Sequence, residues 1–414
     1  MPKTPGRTAD RAEPRLAWLL GPALVAGVAY LDPGNVASNM TAGARFGYLL
    51  VWVVLLGNLM AWLIQYLSAK LGVVTGRSLP EVLGERIRRP LLRRLYWLQA
   101  EVVAMATDIA EVIGGAVALN LLFGVPLVWG GAITGVVSMT VLAFQARRGA
   151  RAFETVVVTL MAVIVVGFCA GILVSPPDAT AALGGLVPRF DGTDSVLLAA
   201  SILGATVMPH AIYAHSALAR DRFGPEPEPG RIRRLLTATR WDVTMAMVVA
   251  GTVNMVMLLL AATALAGIPG TDSLEGAYTA LRDGLGPVIA TLFAVGLLAS
   301  GLASTSVGAY AGSEIMAGLL RVRVPLLTRR LITLIPALGL LIAGVDPTLA
   351  LVLSQVVLSF GIPFALVPLV WLTARTEVLG PYRNRVATTA AGVAASVFLI
   401  VLNAVLIGLL ATGG

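Results

Sequence analysis

Apolar residues recur in runs long enough to cross a bilayer, which takes about 20 residues as helix. Eleven stretches qualify, near 16–40, 48–69, 95–123, 127–145, 154–174, 195–218, 242–266, 287–319, 329–345, 349–373 and 387–411. The pattern predicts an all-α polytopic membrane protein of 11 transmembrane helices. Two runs are interrupted at their middles, the first by Asp32-Pro33-Gly34-Asn35 and the sixth by Met208-Pro209-His210. Proline removes a backbone donor and glycine loosens the torsions, so the spacing predicts unwound helices 1 and 6, over residues 32–35 and 206–209. Interruptions at matching positions of two five-span halves point to an inverted repeat with its site at the midplane. The halves are 16–174 and 195–373, with 387–411 outside the repeat, all within one transport domain, 1–414.

Composition agrees with this pattern. The chain is 57% hydrophobic and 13% charged, with a mean hydropathy of +0.86, too apolar for a soluble domain. Its net charge of +8 would suit nucleic acid, but 27 of the 30 basic residues fall in one alternating set of loops. That set holds Lys3 to Arg15, Lys70 to Arg94, Arg147 to Arg151, Arg220 to Arg240, Arg321 to Arg330 and Arg375 to Arg385, against Arg45, Arg189 and Arg282 on the other side. Basic loops face the cytoplasm. The expectation is a multi-pass protein of the cell membrane with its N-terminus cytoplasmic, its C-terminus extracytoplasmic and no nucleic-acid partner. The basic N-terminus lacks a small-residue cleavage site and is read as retained. Cys169 is the single cysteine, which excludes an internal disulfide and a thiolate cluster. Pro225 to Pro229 reads as a loop between spans six and seven.

The chemistry gathers at the two breaks. An ionisable residue deep in a span is functional by default, and Asp32 stands with the amide of Asn35 where helical carbonyls lose their partners. That combination makes a cation site. At the second break Pro209 cannot bond the carbonyl of Ala205, and Met208 adds a thioether. Hard cations take oxygen ligands, so sulfur points to a first-row transition metal, although methionine is also an ordinary membrane-core filler. His210 and His215 are the only histidines and can relay protons or ligate metal. Glu101, Asp108 and Glu111 share one face of the third span, as proton routes do and as partners of buried Arg329 or Arg330 would. Gln355 of the tenth span could bring an amide oxygen to the centre. Any one of these amides, Gln355, Asn58 of span two or Asn254 of span seven, is more often a helix-to-helix hydrogen bond than a ligand, and Glu314 reads as a solvated or interfacial charge. No nucleophile elbow, phosphate loop or HExxH pattern occurs, so no enzyme activity and no resident cofactor is expected.

Asp-Pro-Gly-Asn in span one, Thr-Asp-Ile-Ala-Glu in span three, Met-Pro-His in span six and the Gln355 segment together resemble the natural resistance-associated macrophage protein (Nramp) family, from about Leu16 to the end of the chain. The resemblance implies a LeuT-type 5+5 inverted repeat that imports Mn²⁺ and Fe²⁺, with Cd²⁺ and Co²⁺ as further substrates, by proton symport. It implies metal ligands at Asp32, Asn35, Met208, Gln355 and the carbonyls of Ala29 and Ala205. It implies a proton pathway through Asp32, His210, Glu111, Asp108, Glu101 and Arg330, and gates at Asn58, Asn254, Thr206 and His215. Ala211 departs from the family pattern, where a polar residue is frequent, which bears on local packing rather than on the ligands. The alternative on the same fold is an amino-acid or organocation transporter, which generally lacks an acid and a methionine at the two breaks.

Overall fold

The structure, a computed structural model, describes residues 21–148, 150–224, 229–322 and 324–412. The basic residues Lys3 to Arg15, the beginning of the first expected span, residues 225–228 and Arg323 lie outside the described residues, and so does the N-terminus whose side was inferred above. Among the described residues the secondary structure is helical, with no strand.

Helix α1 (Pro22–Val28) tightens into a 3₁₀ turn at Ala29–Leu31, stops at Asp32, and is followed by α2 (Pro33–Phe46). Then come α3 (Val51–Thr75), the short α4 (Leu79–Arg86), α5 (Pro90–Phe123), α6 (Leu127–Arg148), α7 (Ala150–Val174) and the short α8 (Ala179–Gly184). The second broken segment is α9 (Gly192–Thr206) and α10 (Pro209–Phe223), parted by Val207 and Met208. The chain continues through α11 (Pro229–Ala264), α12 (Leu274–Leu285), α13 (Pro287–Ile315), which ends in a π turn at Met316–Leu320, α14 (Leu326–Ile342), α15 (Pro347–Ala374), the single turn α16 (Thr376–Leu379) and α17 (Val386–Thr412). By length and composition eight of these are able to cross a membrane, the α9–α10 pair taken as one. Every one of the eleven apolar stretches coincides with helix, but α1, α6 and α14 are shorter over their described apolar parts.

Local sequence explains where the helices begin and end. Proline opens α1, α2, α5, α10, α13 and α15, at the position where its missing N–H would have had no helical partner. Gly76 and Gly124 close α3 and α5 in the left-handed conformation, which glycine adopts without strain. The same rule corrects the expected breaks. They were to cover 32–35 and 206–209, yet Pro33, Gly34 and Asn35 already belong to α2, Thr206 to α9 and Pro209 to α10. Proline starts the second half of each segment instead of unwinding it, so the gaps shrink to Asp32 and to Val207–Met208.

The broken segment α9–α10 is the most enclosed, with 94% of its apolar window buried, whereas α7 and α17 are 33% buried and form the rim. Small residues let neighbours approach the centre closely. A side chain at Gly114 of α5 would collide with Pro33, and one at Gly204 of α9 with the backbone of Gln355 in α15.

Candidate transport site

Asp32 is the N-cap of α2: its Oδ1 accepts from the Asn35 amide at 2.7 Å. Its Oδ2 accepts from Gln355 Nε2 at 2.9 Å. The residue is fully buried, and no described Lys, Arg or His lies within ion-pairing distance. A lone buried charge is costly unless something compensates it. The positive end of α2 does so in part. The amide oxygen of Gln355, Oε1, lies buried with no donor, which adds an unused acceptor to the carboxylate.

The carbonyls of the first break are satisfied within the protein. Ala29 accepts from the Asp32 amide at 3.2 Å, Tyr30 from the Asn35 side chain, and Leu31 from Ser300 Oγ. Asn35 also donates to Asn254 Oδ1 at 3.1 Å, and its Oδ1 accepts from Asn39 at 2.6 Å. The second break presents Met208, fully buried and in extended conformation, with Val207 before it. Ser38 of α2 and Ser201 of α9 share a hydrogen bond of 2.6 Å, and Ser201 donates to Val352 of α15. The two broken segments and α15 are thereby tied around Gln355.

On one side of this centre Tyr30, Gln65 and His215 form a chain. Gln65 donates to the Tyr30 hydroxyl, and its Oε1 lies 2.6 Å from His215 Nδ1. His210 Nδ1 lies 3.2 Å from Thr107 Oγ1, one residue before Asp108. The span-three carboxylates meet the arginines of α14. Arg330 Nη1 contacts Asp108 Oδ1 at 2.9 Å and Glu111 Oε2 at 3.0 Å, and its other donors reach Ser138 at 3.1 Å and Thr305 at 3.2 Å. Arg329 pairs with Glu101 at 2.9 Å and approaches Asp108 at 3.6 Å. Glycines of α13 give this network its room: a side chain at Gly308 would stand 3.0 Å from Glu111, and one at Gly312 would overlap the Arg329 guanidinium.

The remaining sequence candidates are placed as follows. Thr206 bonds back to the Ile202 carbonyl at 2.6 Å within its own helix. Asn58 reaches the Gly251 carbonyl at 3.4 Å and joins α3 to α11. Ala205 is the residue whose carbonyl Pro209 cannot bond. Glu314 is not a solvated charge: it pairs with Arg220 at 3.1 Å, and Arg220 also holds Glu81 at 2.8 Å. Burial opposes ionisation of Glu81, but the Ser78 amide and Arg220 outweigh it and hold its carboxyl below the usual range. Sequence reading passed over Gln65, Tyr30, Asn39 and Ser300. Gln65 was the legible one, being an uncharged amide in an apolar helix like Asn58.

Two broken helices gathered at a buried, unpaired carboxylate inside an apolar helical bundle define a membrane transporter. Residues 23–409 match the family described as natural resistance-associated macrophage protein-like. The chain is similar to the divalent metal cation transporter MntH of Mycobacterium tuberculosis, with 61% identity over 405 residues, covering 97% of this chain and 94% of that protein. It superposes on the crystal structure of the Eremococcus coleocola manganese transporter with a TM-score of 0.84 at 32% identity, over 96% of this chain and 88% of the other. The protein belongs to the Nramp family. The likeness extends, as fold alone, to the crystal structure of MhsT in complex with L-phenylalanine, at a TM-score of 0.58 and 13% identity over 95% of this chain and 98% of that one.

Proposed function

We propose that the protein imports divalent transition-metal ions, Mn²⁺ and Fe²⁺ with Cd²⁺ and Co²⁺ as further substrates, in symport with protons and by alternating access. The observation that carries the reading is Asp32: a fully buried carboxylate with no basic partner, beside the donor-free oxygen of Gln355. A divalent cation supplies the charge that this pair lacks. Asp32, Asn35, Met208, Gln355 and the carbonyls of Ala29 and Ala205 are the proposed ligands. The Asn35 oxygen exchanges its Asn39 donor for the metal, and the thioether disfavours Ca²⁺ and Mg²⁺ by withholding an oxygen. The titratable groups His210, Asp108, Glu111, Glu101 and Arg330 form the proposed proton route from Asp32. Tyr30, Gln65 and His215 close one end of the site, and Asn254 and Thr206, with Asn58 further out, border the other moving parts.

In the proposed arrangement eleven spans form two inverted halves, 16–174 and 195–373, with 387–411 outside them, and the basic loops face the cytoplasm of the cell. The relatives support the metal substrate: MntH and the Eremococcus protein are named for divalent metal cations and for manganese. The test is calorimetric titration of the purified chain with Mn²⁺, Cd²⁺ and Ca²⁺. Binding of the first two that disappears in Asp32→Ala is the expected result. Wild-type-like Mn²⁺ binding by Asp32→Ala overturns the site.

A further inference from the structure

Beside the last two long helices lies a feature that the transport site does not use. The end of α15 at Ala374, the linker through Pro381 and the first half of α17 line an open groove of about 1200 Å³. Its α17 wall is apolar, built by Val393, Val397 and Val401, each about half exposed. Its other end is polar and basic, with Arg383, Asn384, Arg385 and Thr389. From Arg385 to Val401 the helix rises about 24 Å at 1.5 Å per residue. That exceeds the hydrocarbon depth of one leaflet, about 15 Å.

Among the described residues nothing neutralises the charge at the basic end. From Arg375 to Arg385 the linker carries three arginines and one carboxylate, Glu377. Among the described residues Arg383 reaches only the hydroxyl of Thr376, at 3.2 Å, and neither Arg383 nor Arg385 has an ion pair. Behind the rim a third cation stands close. Lys70 of α3, 7% exposed, donates to Asn384 Oδ1 at 2.9 Å and has no ion pair among the described residues. Asn384 is fixed against Thr373 by bonds of 2.8 and 2.9 Å, so it holds the ammonium of Lys70 against the groove wall. Trp371, flanked by Arg375 at 4.6 Å and Arg86 at 5.3 Å, marks the headgroup level at the same end.

We propose that this groove binds an anionic phospholipid, with its phosphate between Arg383 and Arg385 and an acyl chain along Val393, Val397 and Val401. Arginine pairs hold phosphate oxygens with directed, charge-assisted hydrogen bonds, and basic pockets between spans take acidic headgroups. The apolar wall selects a lipid over free phosphate. The uncompensated Lys70 disfavours a zwitterionic headgroup, which brings its own ammonium.

The test is native mass spectrometry of the full chain in micelles that contain equal amounts of phosphatidylglycerol and phosphatidylcholine. Wild type is expected to retain the anionic lipid over the other by roughly thirtyfold, given about 1 kcal/mol for each of the two arginines near the headgroups and a factor of ten for every 1.4 kcal/mol. Arg383→Gln with Arg385→Gln is expected to bring the ratio near one, while the lysine pair at the same positions keeps the preference and reports an intact fold. Arg231→Gln with Arg233→Gln removes the same charge at the start of α11, outside the groove lining, and is expected to change nothing. Equal retention of both lipids by wild type, a preference that survives the Arg383/Arg385 glutamines, or equal loss in both glutamine pairs overturns the proposal.

Discussion

Gln355 donates its amide to Asp32 across 2.9 Å, and in doing so leaves its own carbonyl oxygen buried without a donor. An unsatisfied buried acceptor costs about 1–3 kcal/mol. Its position beside an unpaired carboxylate turns that cost into readiness for a cation. The geometry depends on a neighbour with no side chain, because a Cβ on Gly34 would occupy the volume of the Gln355 amide.

Gly34→Ala is therefore expected to expel the Gln355 side chain from Asp32 and to cut Mn²⁺ uptake at least tenfold with membrane insertion retained. Gly34 is helical, so space and not backbone strain is the obstacle. Gln355→Ala added to Gly34→Ala relieves the collision and should restore thermal stability relative to Gly34→Ala alone. Melting curves of wild type and the two variants and uptake by cells expressing them check both parts. Equal uptake by Gly34→Ala and wild type would show that the contact between Asp32 and Gln355 is dispensable.

Arg330 serves two buried carboxylates, Asp108 and Glu111, with one Nη1. Removing the shared cation leaves Glu111 with no cation and Asp108 with Arg329 alone, at 3.6 Å, and breaking a buried pair costs about 3–5 kcal/mol. Arg330→Gln is expected to lower the melting temperature more than Asp108→Asn does, and the double variant to recover part of the loss. Strict additivity of the two effects in a double-mutant cycle would contradict the direct coupling.

Asp242 of α11 caps the start of α1 from another helix, accepting from the Gly21 amide at 3.1 Å and the Ala23 amide at 2.9 Å. Loss of an N-cap costs about 1 kcal/mol. Faster hydrogen exchange of amides 21–25 is expected in Asp242→Ala, with α2 unchanged. Unaltered exchange in α1 would mean that packing, not the cap, holds this end of the first span.

Much of this was legible in the sequence. Asp32 and Met208 mark the breaks because an acid and a proline in an apolar run are costly there, and the three carboxylates of α5 share a face by simple helix spacing. The extent of the breaks was overestimated because Pro33 and Pro209 were taken to unwind helices that they in fact begin. The partners of the carboxylates were named only as examples, since contacts between α5 and α14 join residues more than 200 positions apart. The part played by Gly34, Gly308 and Gly312 was invisible for a related reason. A glycine states what its own backbone tolerates, not whose side chain fills the space beside it. The partner of Glu314 was not legible because Arg220 arrives from a different helix.

Met208 decides selectivity in this account. Met208→Ala leaves room for a water oxygen, so the variant is expected to keep Mn²⁺ uptake, bind Cd²⁺ less tightly, and lose part of its discrimination against Ca²⁺. Competition of Ca²⁺ and Cd²⁺ with Mn²⁺ uptake measures all three. Unchanged competition by both ions would reduce the methionine to core packing.

The most direct measurement follows Mn²⁺ entry and internal pH together in proteoliposomes that hold wild type or Asp32→Ala. The account expects Mn²⁺ to enter through wild type with acidification of the interior, and neither to occur through Asp32→Ala. Mn²⁺ entry through Asp32→Ala at the wild-type rate, or entry through wild type with no proton movement, would contradict it.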